Sequence, residues 1–253
     1  AMRIWTAISI AGLLFSGCDY RLGFRHFAAP ITPSAQHAGA DFVVGDDGSI
    51  TFLKDRLEVR VTPMTADELN RHFSTASVGK KGFAEPNPYV TADNPYTFGD
   101  WTPPGEERPP ERFTVFLLGV KNYAFPKVQL DPGNMSIVST NGWNYEVLSQ
   151  SALIEYYSPY AVAYAGNSRS KFRERTDILR RSLFKSDLIF SGQELQGFVI
   201  FPILDHDVED FTVWVRDMAL RFDYRGESIE AIDIPFQFTR ETYYARRSRV
   251  EAQ

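Results

Sequence analysis

The sequence predicts a mainly β protein, an antiparallel β-sandwich with a helical insertion at about residues 151–186. Three observations lead there. Runs with period-two alternation recur at short spacing, as in Leu57/Val59/Val61, Phe211/Val213/Val215 and Ile232/Ile234/Phe236/Phe238. Turn signals such as Asp47-Gly48 and Asn141-Gly142 separate them, rather than crossover helices. Ser151–Ser186 breaks the pattern with a helical period. Strands joined by hairpins pack as two antiparallel sheets.

The first seventeen residues read as a targeting segment. Ala1 precedes Met2, the expected initiator; Arg3 is a positive start, and Ile4–Phe15 is an apolar run too short to span a bilayer, which takes about 20 residues. Leu14-Phe15-Ser16-Gly17-Cys18 resembles the lipobox cut by lipoprotein signal peptidase, with Phe15 where leucine is usual. Cys18 is the only cysteine in 253 residues and stands where that resemblance places the lipidated thiol. The resemblance implies acyl chains on Cys18, each buried CH₂ contributing about 0.8 kcal/mol to anchoring. The expected partner is then the membrane, on its periplasmic or extracellular face. Residues 18–40, rich in Ala, Pro and Gly, read as a tether, and residues 41–253 as one folded domain.

Within that domain, Phe42-Val43-Val44 and Ile50–Leu53 flank Gly45–Ser49 as a hairpin. Thr65 and Glu68 have capping-box spacing, which starts a helix from Ala66 to about Phe73. Residues 86–110 hold seven of the fifteen prolines with Tyr89, Tyr96, Phe98 and Trp101, and read as an extended strap whose aromatics are candidates for binding a partner. Phe113–Val120 is apolar on both faces and reads as a central strand. Val128 and Leu130 lead to the turn Asp131-Pro132-Gly133. Met135–Val138 follows, then Asn141-Gly142, and Trp143, Tyr145 and Val147 share one face of the next strand. In the insertion, Ala152–Ala165 is helical with Pro159 as a kink or break. A second helix from about Ser170 to Lys185 aligns Phe172, Thr176, Leu179 and Leu183. Phe198–Leu204 is another buried run. Leu220/Phe222/Tyr224 continue the series, with Gly226 as the last turn.

Two stretches carry a resemblance. Arg112–Phe116 through Lys121-Asn122-Tyr123, and Ser191-Gly192-Gln193-Glu194 before Gly197–Phe201, are similar to the immunoglobulin-like domains of bacterial surface lipoproteins of uncharacterised function. The likeness spans about residues 112–240. It implies an immunoglobulin-like sandwich outside the cytoplasm and brings no catalytic residues with it.

Chemistry-bearing motifs are sparse. Ser-x-x-Lys occurs at Ser77, Ser168 and Ser182, without the accompanying Ser-Asp-Asn and Lys-Thr-Gly elements of acyl enzymes. Val78-Gly79-Lys80-Lys81 lacks the Ser/Thr of a phosphate loop. His26, His37, His72 and His206 are scattered; no metal or cofactor motif is present. Asp205–Asp210 gathers oxygen ligands suited to Ca²⁺, at a spacing that matches no calcium loop and reads as a solvated turn. Net charge −5 with pI near 5.5 excludes a general nucleic-acid binder. Against that background, Arg169, Lys171, Arg173, Arg175, Arg180, Arg181 and Lys185 oppose only Glu174 and Asp177, a basic helical face suited to anionic headgroups. The function expected is therefore non-enzymatic binding or scaffolding in the cell envelope, with an envelope protein as second partner. An immunoglobulin-like proteinase inhibitor and an envelope hydrolase with a site assembled from distant residues are the alternatives.

Overall fold

A strand that is apolar on both faces needs cover on both, and Phe113–Asn122 has it. Phe116, Leu118 and Val120 face one apolar cluster, while Phe113 and Val115 face another. The structure is a computed structural model and describes residues 24–35, 40–78, 95–96, 112–163 and 168–246. In chain order the strands are β1 (Phe24–Ala28), β2 (Thr32–Pro33), β3 (Phe42–Val44), β4 (Ile50–Lys54) and β5 (Leu57–Met64). Helix α1 (Ala66–Val78) precedes β6 (Phe113–Asn122), β7 (Lys127–Gln129), β8 (Met135–Ser139) and β9 (Asn144–Glu146). Helices α2 (Gln150–Ala163) and α3 (Ser168–Ser182) follow. The chain continues with β10 (Leu188–Phe190), β11 (Gln193–Pro202), β12 (Asp210–Phe222), β13 (Ser228–Thr239) and β14 (Thr242–Arg246).

Two antiparallel sheets pack together, as the sequence predicts. One runs β11-β6-β5-β4-β3. The other runs β10-β7-β12-β13-β2, with β8 against the first half of β12 and β9 beside β8. Between them lie Ile50, Val59, Val61, Phe116 and Leu118, facing Ile137, Val213, Val215, Phe236 and Phe238. The helices form a third layer outside the five-stranded sheet. Leu69 and Phe73 of α1, Leu153 and Tyr157 of α2, and Ile178 and Leu179 of α3 cover Phe113, Val115, Phe198 and Ile200. Its aromatic centre joins Phe73, Tyr96 and Phe198, with ring centroids 5.5–5.8 Å apart.

The two stretches that carry the immunoglobulin-like resemblance are paired along their length. β6 and β11 run antiparallel from Asn122↔Gln193 to Phe113↔Pro202. Asn122, fully buried, secures one end of the pair. Its amide donates to the carbonyls of Phe125 and Ile189, both at 2.9 Å, and its oxygen accepts from the backbone of Ala124 and Phe125. The backbone N–H of Gly192, in the left-handed turn before β11, donates to the Asn122 carbonyl at 2.7 Å. A buried amide is tolerated when its donors and acceptor are all engaged.

Several expectations need correction. The segment expected as a tether to residue 40 already contains two strands, β1 against β14 and β2 against β13, so the fold starts before Asp41. Their pairing depends on β14 and the end of β13, far away in sequence, and local composition does not report it. Helix α1 runs to Val78 rather than Phe73, and α2 continues through Pro159 without a break, held to the sheet by Leu153 and Tyr157. The capping box is present: Glu68 Oε2 accepts from the Thr65 N–H at 2.8 Å and hydroxyl at 2.7 Å. The two alternating runs at 211–215 and 220–224 are one strand, β12. A bulge at Arg216-Asp217 shifts the inward phase from Val213 and Val215 to Met218 and Leu220. Asp217 sits there at φ 54°, its N–H bonded to Asp233 Oδ1 at 2.9 Å.

β11 is the sheet edge under the helical layer, and its outward carbonyls are filled from the insertion's two feet. Leu148 N–H donates to the Ile200 carbonyl at 2.8 Å, and Phe184 N–H to the Phe198 carbonyl at 2.9 Å. At the second foot the chain passes from the helical layer, where Leu183 packs, into the inter-sheet core, where Phe184 is buried. It crosses directly over Gly197, where a Cβ would lie 2.5 Å from the backbone N and Cα of Phe184. Gly197→Ala should therefore cost about 3 kcal/mol, as backbone has to move. Urea unfolding of wild type and variant measures this; a change under about 0.5 kcal/mol would show that the crossing yields freely.

Candidate functional site

Helix α3 carries the basic face picked out by the sequence, and packing divides its cations. The helix turns Ile178 and Leu179 into the sheet, with Phe172, Thr176 and Leu183 at the margin of the buried face. Arg175 lies at that boundary, its guanidinium 5.3 Å from the ring centre of Tyr157, so it serves the packing of α2 on α3. Arg181 pairs with Asp177 one turn back, Nη2 to Oδ2 at 2.5 Å. Arg173 and Arg180 on the helix are exposed, as is Lys185, three residues past its end. The side chains of Arg169 and Lys171 lie outside the described residues. The face toward solvent is thus narrower than the sequence count, with three cations and one neutralised pair among its described residues.

The strap candidates separate differently. Tyr96 is 1% exposed, its ring among Phe73 and Phe198 and its hydroxyl 2.7 Å from Ser182 Oγ at the end of α3. The neighbouring Pro95 carbonyl accepts from the hydroxyl of Tyr157. Tyr96 is therefore part of the helical layer's core and is corrected from a partner-binding candidate to a packing residue; burial holds its hydroxyl far above the ordinary tyrosine range. Tyr89, Phe98 and Trp101 lie outside the described residues, as do Cys18 and the segment 1–17.

The acidic loop Asp205–Asp210 joins β11 to β12 and is organised around a cation of the chain's own. Arg240, 7% exposed, directs Nε to the Val208 carbonyl at 2.8 Å and Nη2 to the carbonyls of Leu204 at 3.3 Å and Asp205 at 2.5 Å. Three of the loop's carboxylates are also engaged. Asp205 Oδ2 accepts from the Tyr145 hydroxyl at 2.8 Å, and Glu209 Oε1 from Thr242 at 2.8 Å. Asp207 Oδ2 accepts from Asn141 Nδ2 at 3.1 Å and the Trp143 indole at 3.3 Å. Among the described residues no three His, Cys, Asp or Glu side chains converge as metal ligands. Sequence reasoning did not single out Arg240. Its signal is positional: Ile234, Phe236 and Phe238 point inward on β13, and residue 240 continues that even-numbered series with an arginine.

A cleft of about 580 Å³ opens between the start of α1, the β1–β2 connection and the start of β6. Two of its acidic groups, Asp47 and Glu68, are used internally. Asp47 Oδ1 accepts from the Ser49 hydroxyl at 2.6 Å and N–H at 3.1 Å, which holds its carboxyl below the ordinary range, and Glu68 closes the helix cap.

Two predictions follow from the loop. Arg240→Leu removes the donor to two buried carbonyls and one part-buried carbonyl and should cost about 3 kcal/mol in urea unfolding; a cost near that of an exposed arginine would mean the loop reorganises around water. Tyr145 is raised from 10.0 to about 12, chiefly by burial and then by the Asp205 carboxylate. A raised tyrosine contributes stability that is complete below pH 10 and lost as pH rises toward 12. The alkaline fall in melting temperature should be shallower in Tyr145→Phe; superimposable profiles would remove Tyr145 from that transition.

No family model matches the chain, and no curated protein matches it. Among solved structures, a collagen adhesin from S. aureus aligns with 88% of this chain and 80% of its own at 12% identity, with a TM-score of 0.19. A likeness at that score carries no argument about function. Among the described residues no helix is long and apolar enough to cross a membrane.

Proposed function

We propose that this protein is a lipid-anchored, extracytoplasmic β-sandwich that binds or scaffolds another component of the cell envelope. In this reading it is seated on an anionic membrane surface by α3. The observation that carries the proposal is the pairing of an N-terminal lipobox-like sequence ending in the chain's only cysteine with exposed cations on the outermost layer of the fold. Acyl chains on Cys18 supply attachment. Arg173, Arg180 and Lys185 supply orientation, each contributing roughly 1 kcal/mol near an anionic surface and falling off within about a Debye length. Half-buried Arg175 packs on Tyr157 of α2, and Arg181 is paired with Asp177 within α3, which leaves the contact to the others.

Labelling with a palmitate analogue should tag the expressed protein, and Cys18→Ala should lose both label and membrane retention. A variant that stays bound through a carbonate wash would exclude the anchor. Separately, protein beginning at Gly23, which keeps β1, should co-sediment with phosphatidylglycerol vesicles at low salt and release at high salt. Neutralising Arg173, Arg180 and Lys185 to glutamine should weaken that binding by roughly a hundredfold, from three charges at about 1 kcal/mol each. Equal sedimentation would assign these cations to solvation of the helix alone.

A further inference from the structure

Trp143 begins a run that shares one face with Tyr145 and Val147, which would place it under cover with them. It is instead 47% exposed, while Tyr145 is 8% exposed. The indole is nevertheless held in one orientation. Its Nε1 donates to Asp207 Oδ2, its backbone N–H donates to Ser139 Oγ at 2.8 Å, and its carbonyl accepts from the Ser139 N–H at 2.9 Å. Asp207 is itself positioned by Asn141, which donates both to Asp207 Oδ2 and to its carbonyl at 3.1 Å, and by the loop that Arg240 holds. Gly142, at φ 94°, makes the turn that presents the ring. The surroundings are polar and exposed: Thr140, Asn141, Asn144, Asp205, His206 and Asp207.

We propose that this rim is a saccharide-binding platform that stacks one pyranose ring on the exposed face of Trp143. Area decides between a sugar and a protein surface as the partner. About half of an indole-bearing side chain, roughly 100 Å², is offered as apolar surface, against about 800 Å² per partner in a stable protein interface with an apolar centre. One sugar ring needs a single flat apolar surface for its C–H face and a few fixed polar groups for its hydroxyls. Asp207 supplies such a group: Oδ2 takes both donors within the protein, and Oδ1 accepts no hydrogen bond among the described residues. An ionised carboxylate has about four acceptor positions, so capacity for a hydroxyl remains. The ring and carboxylate are fixed before any ligand arrives, which lowers the ordering cost of binding.

The proposal stands apart from the seating of α3, and its test separates them. The full chain, in mild detergent, is incubated with peptidoglycan sacculi, chitin and cellulose, and titrated calorimetrically with chitotetraose. Wild type should be retained on at least one polysaccharide. Trp143→Ala should weaken retention about tenfold or more, Trp143→Phe should restore part of it, and Asp207→Asn should weaken it while vesicle binding is unchanged in all three. Melting temperatures identify any variant that fails to fold, and Trp143→Phe then stands as the informative one. Failure of the wild type to bind any of the three polysaccharides, or retention equal in wild type and Trp143 variants, would overturn the proposal. Cross-linking through position 143 to a protein in place of a glycan would do the same.

Discussion

The requirement that β6 and β11 be covered on both faces organises the molecule. Phe116, Leu118, Val199 and Phe201 demand a second sheet, while Phe113, Val115, Phe198 and Ile200 demand something on the other side. Full burial of each such side chain contributes about 1.5–3 kcal/mol, so leaving either face wet would cost about as much as a domain's whole net stability. The helical insertion answers the second demand, together with α1 and Tyr96. It is attached where the need is greatest, at the open edge of β11 beside the aromatic cluster of Phe73, Tyr96 and Phe198.

Charge in this chain first serves packing. The acidic loop, which attracts attention as a cation site, is closed by Arg240 against its carbonyls and by tyrosine, tryptophan, asparagine and threonine donors against its carboxylates. The basic helix likewise spends Arg175 on an aromatic face and Arg181 on Asp177. What remains exposed among the described residues after those commitments is smaller than composition suggests and better defined: Arg173 and Arg180 on α3 with Lys185 just beyond it, and a fixed indole with its carboxylate at the end of the sandwich.

Much of this was legible from residues alone, for identifiable reasons. Period-two runs and Gly-bearing turns are local signals, so the hairpins at Gly48, Gly142 and Gly226 and strands β4 to β6, β8 and β11 to β13 lie where they are expected. The two-faced apolarity of Phe113–Val120 even announces the third layer, because a strand with no polar side needs two covers. The missed features are non-local. β1 and β14 exist through each other, and β10 through β7 and the Asn122 amide. The phase change at Arg216-Asp217 looks like a strand end until β13 is seen running past it. The candidate sites were legible as composition and not as geometry: one sequence does not reveal that Tyr96 turns in, that Arg240 reaches the acidic loop, or that Trp143 stays out.

The two feet of the insertion attach to carbonyls only two residues apart on β11. From the sandwich, everything between Leu148 and Phe184 is a closed excursion that leaves and returns at almost the same point. Closing such an excursion grows costlier only slowly with its length, by about 0.6 kcal/mol for each doubling. Its underside is bound to the sheet by shape, but the sandwich places no such constraint on its length or its outer surface. The helical cap is thus the part of this architecture through which evolution can redirect the protein to a different surface without redesigning its core.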